Sequence, residues 1–151
     1  MHLGAVYLIA NDFGKSIIFY EQLLEMPVTS RNMERFAQFA FEGCNIAIMN
    51  GHFDAEHPDK VVQKGISIPL FEDFREKALA PNTHKFVLNF CVKDLKEEYK
   101  RIKKLELSES LSEILYVCNV SPYYYFCLTD PDENIIEIAG AYMPEEGMFS
   151  E

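Results

Sequence analysis

The residue whose type and setting most invite chemistry is Glu137. It interrupts a β-branched run, Ile135, Ile136 and Ile138. A carboxylate in such a run is paired, sits at a solvated rim, or is kept as a base or ligand. Polar side chains of similar interest stand in other apolar stretches: Tyr7, Asn89, Tyr125 and Cys127. Each has a plainer role. Cys127 fits a small core hydrophobe, because no histidine or helix N-terminus is legible beside it to lower its pKa. The Tyr123 to Tyr125 run suits strand packing as well as a binding platform. A second set, His52, Asp54, Glu56 and His57 in GHFDAEHPD, has metal-ligand residue types. Its spacing fits no standard site, and an acidic loop reads the same way. There is no Ser-His-Asp order, phosphate loop or dinucleotide fingerprint.

The elements that must position these residues follow from period and punctuation. Residues 3–10, LGAVYLIA, form a strand, with Ala5, Tyr7 and Ile9 on one face. Asn11 and Asp12 can cap a helix from about Gly14 to Glu25, which Pro27 ends. Strands are expected over Val28 to Arg31, Phe36 to Phe41 and Asn45 to Met49, with Glu42-Gly43 turning between the last two. Residues 51–84 have no clean period and carry Pro58, Pro69 and Pro81. They read as a long connector with a helical turn or two near Glu72 to Leu79, anchored by Phe71 and Phe74. The first pattern then returns. A strand covers Phe86 to Val92, Asp94 starts a helix over Leu95 to Leu105, and strands cover Ile114 to Val120, Tyr123 to Leu128 and Ile135 to Ala139. The acidic tail from Tyr142 reads as loose. The order is βαβββ, connector, βαβββ, with Asp12 and Asp94 equivalent.

The chain is 151 residues long, enough for one domain, here residues 1–151 with modules 1–50 and 85–140 joined by connector 51–84. The formal charge of -10 argues against nucleic acid and anionic membranes as partners. No signal peptide or membrane-length apolar run is visible, and the four cysteines form no C-x-x-C pair. Free, buried thiols in the cytoplasm are the expectation.

Two stretches resemble the glyoxalase/bleomycin-resistance/extradiol-dioxygenase group, the vicinal-oxygen-chelate superfamily. ANDFGKSIIFYEQLLEMPV is similar to that family's first strand exit and Phe-Tyr helix. LTDPDENIIEI is similar to its Asp-Pro-Asp-Gly-Asn-x-x-Glu-Leu hairpin, with Glu133 where glycine is usual. The resemblance covers nearly the whole chain. It implies an α+β fold of two βαβββ modules whose curved mixed sheets surround a cavity, and it suggests a homodimer.

The resemblance also implies where metal-dependent members place ligands. Relative to Asp12 and Asp94, the first-strand positions are Ala5 and Val87. Aligning Asn45 with Asn134 puts the last-strand positions at Ile48 and Glu137. Three of these four are apolar, and one carboxylate does not hold a divalent ion. No metal and no cofactor is therefore expected. Strand parity puts Tyr7, Asn89, Tyr125, Cys127 and Glu137 on the cavity side, a lining suited to a small organic ligand. The first reading is metal-independent binding of such a molecule. The other is a lyase, isomerase or dioxygenase of the same superfamily with Glu137 as catalytic base or metal ligand, so enzyme and binding protein both stay open.

Overall fold

A computed structural model of the chain describes residues 1–41 and 43–149. It contains two compact units, Met1–Pro81 and Asn82–Glu151. In the first, β1 (Ala5–Ala10) is followed by α1 (Phe13–Leu24), β2 (Ser30–Asn32), β3 (Phe36–Phe41) and β4 (Cys44–Asn50). The strands form a sheet in the order β1-β4-β3-β2, with β1 parallel to β4 and the other pairs antiparallel. One face is covered by α1. Leu8, Ala37, Phe39, Ile46 and Ile48 are buried there with Ile17, Tyr20 and Leu23 of the helix. The helix starts where the sequence capping signal lies: the Asp12 side chain accepts from the Lys15 backbone N–H at 3.0 Å. It ends at Leu24, ahead of Pro27, because Glu25 takes the left-handed conformation (φ 54°) and closes the last turn onto the Glu21 carbonyl.

The second unit repeats the plan with β5 (Val87–Val92), α5 (Leu95–Leu105), β6 (Leu115–Cys118), β7 (Pro122–Thr129) and β8 (Ile135–Gly140). Its sheet has the order β5-β8-β7-β6. Asp94 caps α5 through the Glu97 N–H at 3.0 Å, and Glu106 (φ 51°) ends it as Glu25 ends α1. Leu95 and Ile102 of α5 are buried with Phe126, Leu128, Ile136 and Ile138 of the sheet. The architecture is α+β, with two four-stranded mixed sheets built by two βαβββ repeats. Among the described residues no helix is long and apolar enough to cross a membrane.

Several local expectations need correction. The strand expected over Val28 to Arg31 is instead Ser30–Asn32, which pairs with Phe36–Gln38 of β3. In the expected Glu42-Gly43 turn, Gly43 has φ 78°, while Glu42 lies outside the described residues. The connector holds three short helices, α2 (Phe53–Glu56), α3 (Pro69–Glu72) and α4 (Phe74–Leu79). Phe71 does not anchor it, being 64% exposed; Phe53 and Ala78 are the buried side chains. Nor is the tail loose over the described residues. The Phe149 ring packs 5.7 Å from that of Tyr116 and 5.9 Å from that of Tyr124, because that end of β6 and β7 offers aromatic surface. Ser150 and Glu151 lie outside the described residues. All four cysteines are unbridged, but Cys91 and Cys118 are exposed, because they sit on faces and edges that no helix covers.

The connector docks at Gly51. A Cβ there would lie 2.3 Å from the Ala78 Cβ and 2.8 Å from the Phe74 carbonyl oxygen. Gly51→Ala should therefore cost about 1–3 kcal/mol in urea unfolding, by overpacking. Gly4→Ala, where a new Cβ meets nothing within 4 Å, should stay within about 0.5 kcal/mol of the parent.

Candidate functional site

The site is built from the β7–β8 hairpin. Its turn is organised by Asp130, a carboxylate only 5% exposed. Asp130 Oδ1 accepts from the backbone N–H groups of Asp132 and Asn134, both at 2.9 Å, and Oδ2 accepts from the Asn134 side-chain amide at 2.8 Å. Asn82 in turn donates to Asn134 Oδ1 at 2.8 Å and to the Asp132 carbonyl at 3.1 Å. Glu133 occupies the left-handed region (φ 64°), the conformation for which glycine is favoured.

This turn fixes the register in which Glu137 lies between Asn89 of β5 and Cys127 of β7. Alternation then puts Asn89, Cys91, Tyr123, Tyr125, Cys127, Glu137 and Ala139 on the sheet face opposite α5. On that face three side chains converge. Asn89 Nδ2 donates to Glu137 Oε1 at 2.8 Å and to the Tyr123 hydroxyl at 3.1 Å. The Tyr123 hydroxyl donates to the same Oε1 at 2.8 Å. The Cys91 thiol donates to Asn89 Oδ1 at 3.7 Å, which leaves the amide nitrogen to face Glu137 and Tyr123. Oε1 thus has both lone-pair positions taken. No described protein group donates to Oε2. It is also absent from the buried atoms without a partner, so solvent reaches it.

The neighbours of Glu137 are neutral acids held protonated. Burial, and then the hydrogen bond to Glu137, push the Tyr123 hydroxyl above its usual range. Burial, and then the Glu137 charge, push the Cys127 thiol up as well. A raised thiol is a poor nucleophile at neutral pH, so Cys127 is a half-buried packing residue here. Tyr125 lies on the same face, its ring 5.5 Å from that of Tyr123.

Tyr7 belongs to the first unit. It is 58% exposed and packs edge-to-face on Phe36 at 5.3 Å. Tyr7 pairs with Ala47, so Ala47, not Ile48, is the counterpart of Glu137 in the first repeat. Ile48 is fully buried on the α1 side with Leu8 and Ala37. The positions that resemblance marked for metal are therefore Ala5 and Ala47 in one unit and Val87 and Glu137 in the other. Taken unit by unit, the first pair carries no side-chain donor and the second carries one, the Glu137 carboxylate, whose bonded neighbours are a neutral amide and a neutral phenol; neither donor set fits a divalent ion.

Tyr123 is the residue that sequence reasoning left out of the site. Strand parity placed it on the face, but nothing in the sequence distinguished its reach from that of Tyr125. The connector set disperses onto separate partners. Asp54 makes a two-pronged pair with Arg35 (2.6 and 3.0 Å), His52 bonds Asn11 at 2.7 Å, Glu56 lies 3.6 Å from Arg75, and His57 stacks on Phe53 at 4.6 Å. The Asp54 bonds also hold the Arg35 guanidinium above its usual range.

Two outcomes follow for this site. Glu133→Gly removes a left-handed non-glycine residue and should raise stability by about 0.5–1 kcal/mol in denaturant melts, after the entropic cost of glycine. Glu137→Gln removes the negative charge beside Cys127. The pH at which Cys127 is alkylated should then move down toward an ordinary thiol's, read by mass spectrometry of iodoacetamide labelling against the parent protein. Burial keeps part of the elevation in place.

No family model matches the chain, and no curated protein does. Solved structures do. A glyoxalase-related enzyme from Fulvimarina pelagi superposes with TM-score 0.63 at 16% identity, over 93% of this chain and 88% of that one. A lactoylglutathione lyase from Agrobacterium tumefaciens gives 0.62 at 14% identity, over 93% of both chains. A glyoxalase/bleomycin resistance protein from Catenulispora acidiphila gives 0.58 at 15% identity, over 93% of this chain and all of that one. At these identities the likeness is one of fold, and it agrees with the resemblance carried by the first helix and the hairpin: the chain has the glyoxalase/bleomycin-resistance fold.

Proposed function

We propose that the protein binds a small organic molecule, without a metal, on the open face of its second sheet. The observation that carries this is the Asn89–Tyr123–Glu137 network, with one carboxylate oxygen saturated from within and the other left to solvent. A polar group held rigidly by its neighbours and presented among aromatic side chains is the usual make-up of a ligand site. Ala5, Val87 and Ala47 support the metal-free part of the reading.

A second reading has one observation in its favour. The free Glu137 Oε2 could take a proton from a bound substrate, as a lyase or isomerase requires. A dioxygenase would need metal ligands that this donor set does not supply. The two modules are read as one domain. The protein is further read as a cytoplasmic homodimer, in keeping with its unbridged cysteines and its resemblance; sedimentation velocity would test the dimer.

Metal analysis of the purified protein and thermal melts with zinc, nickel, manganese and iron(II) test the main reading. The expectation is no stoichiometric ion and no rise in Tm. One ion per chain, lost on Glu137→Ala, would overturn it.

A further inference from the structure

The second unit contains a groove of about 420 Å³ beside the Glu137 network, lined by Cys91, Tyr123, Tyr124, Ala139 and Tyr142. Its size is in the range of small-molecule sites. Cys91, Tyr123 and Ala139 lie on the same sheet face as Glu137, so groove and network share Tyr123 and adjoin through Ala139. Ala139, Gly140 and Ala141 follow one another in the lining, and their small side chains keep the groove open. Gly140 is constrained to be small, because a Cβ there would lie 2.4 Å from the Val92 carbonyl oxygen. Tyr142 is set by its neighbours: its ring lies 5.4 Å from that of Tyr124, and its hydroxyl contacts Met148 Sδ at 3.1 Å.

The lining has a consistent chemistry. It offers tyrosine rings and no lysine or arginine. The adjacent charge is the Glu137 carboxylate, whose Oε2 has acceptor capacity and no described donor. A ring that carried a carboxylate or phosphate would meet a negative charge with no lining cation to offset it. A ring that carried an N–H or O–H group would complete the unfilled acceptor, in a charge-assisted hydrogen bond. Flat rings also suit a tyrosine-lined wall better than puckered ones of the same size.

Building on the small-molecule reading above, we propose that the ligand is a planar ring, neutral or cationic, bearing an N–H or O–H donor. The ring lies in the tyrosine-lined groove and the donor is delivered to Glu137 Oε2. Specificity thus resides in an acceptor that Asn89 and Tyr123 hold in place, and these two are positioning residues.

NMR titration of the full chain with four probes tests the ligand class: benzamidine, phenol, benzoate and cyclohexylammonium. Benzamidine and phenol should perturb Tyr123, Glu137 and Ala139 resonances and bind about tenfold more tightly than benzoate or cyclohexylammonium. Glu137→Gln supplies the second measurement. The glutamine oxygen can keep the bonds from Asn89 and Tyr123, which turns its amide nitrogen outward and changes an acceptor into a donor. Benzamidine should weaken about tenfold in that variant and benzoate should gain affinity, a gain that an unfolded variant cannot give. Benzoate or cyclohexylammonium binding the parent protein as tightly as benzamidine would overturn the proposed ligand class while leaving small-molecule binding intact. If no probe perturbs this face, the small-molecule reading falls as well.

Discussion

Asp130 is the constraint on which the second unit depends. A carboxylate this buried has to be satisfied from within, because leaving one uncompensated costs several kcal/mol. Its partners Asp132 and Asn134 lie in the five-residue turn between β7 and β8, and Asn82 secures the same turn from the start of the unit. Turn geometry fixes hairpin register, and a slip by one residue sends every side chain to the opposite face. Here a slip would turn Glu137 into the apolar layer under α5 and put Ile136 and Ile138 on the open face. Both the polar turn and the apolar layer oppose that exchange, so the position of Glu137 is determined twice.

With register fixed, the two repeats can be compared rung by rung. Tyr7, Ala47 and Gln38 occupy one rung of the first sheet; Asn89, Glu137 and Cys127 occupy the matching rung of the second. The rungs share geometry and differ in chemistry. Ala47 asks for no hydrogen bond, so Tyr7 is free to lean on Phe36. Glu137 demands donors, and Asn89 and Tyr123 supply them. A common scaffold has thus kept its chemistry in one repeat, which is why fold likeness alone says little about the reaction or ligand.

The scaffold was legible because it rests on local signals. Asp12 and Asp94 read as caps and cap, helical spacing picks out Ile17, Tyr20, Leu23, Leu95 and Ile102, which are buried, although Ile18 and Leu105 on the same spacing are exposed, and alternation sorts the strand faces of the second repeat correctly. What was not legible depends on pairing between strands. Residue identity matches Asn45 to Asn134, yet the pairing of β1 with β4 and β5 with β8 makes Asn45 the counterpart of Ile135. That single step is the difference between Ile48 and Ala47. Parity likewise treats Tyr123 and Tyr125 alike. Tyr125 stands opposite Ala139, whereas Tyr123, two residues further along, reaches Glu137 past that small side chain. Reach of this kind depends on the size of an intervening residue, which parity does not express. In the connector, residue types that can bind metal make ion pairs, a hydrogen bond and a ring contact, and their partners Arg35, Asn11, Arg75 and Phe53 are distant in sequence from one another, so the pairings are not legible from the chain alone.

The protonation of the site links its chemistry to its stability. Tyr123 and Cys127 are acids whose ionisation is raised in the folded chain. Such groups contribute stability that is fully present below their ordinary ranges, about 10 for a phenol and 8.5 for a thiol. It is lost as pH rises through the elevated folded values. The same proton on Tyr123 is the one donated to Glu137 Oε1. Once it leaves, a phenolate and a carboxylate face each other with no hydrogen between them, and Oε1 keeps only the bond from Asn89. Network and local stability therefore fail together on the alkaline side, and at neutral pH the site presents a single anion among neutral donors. That arrangement equips it to recognise a donor, with neither Tyr123 nor Cys127 poised to act as a nucleophile.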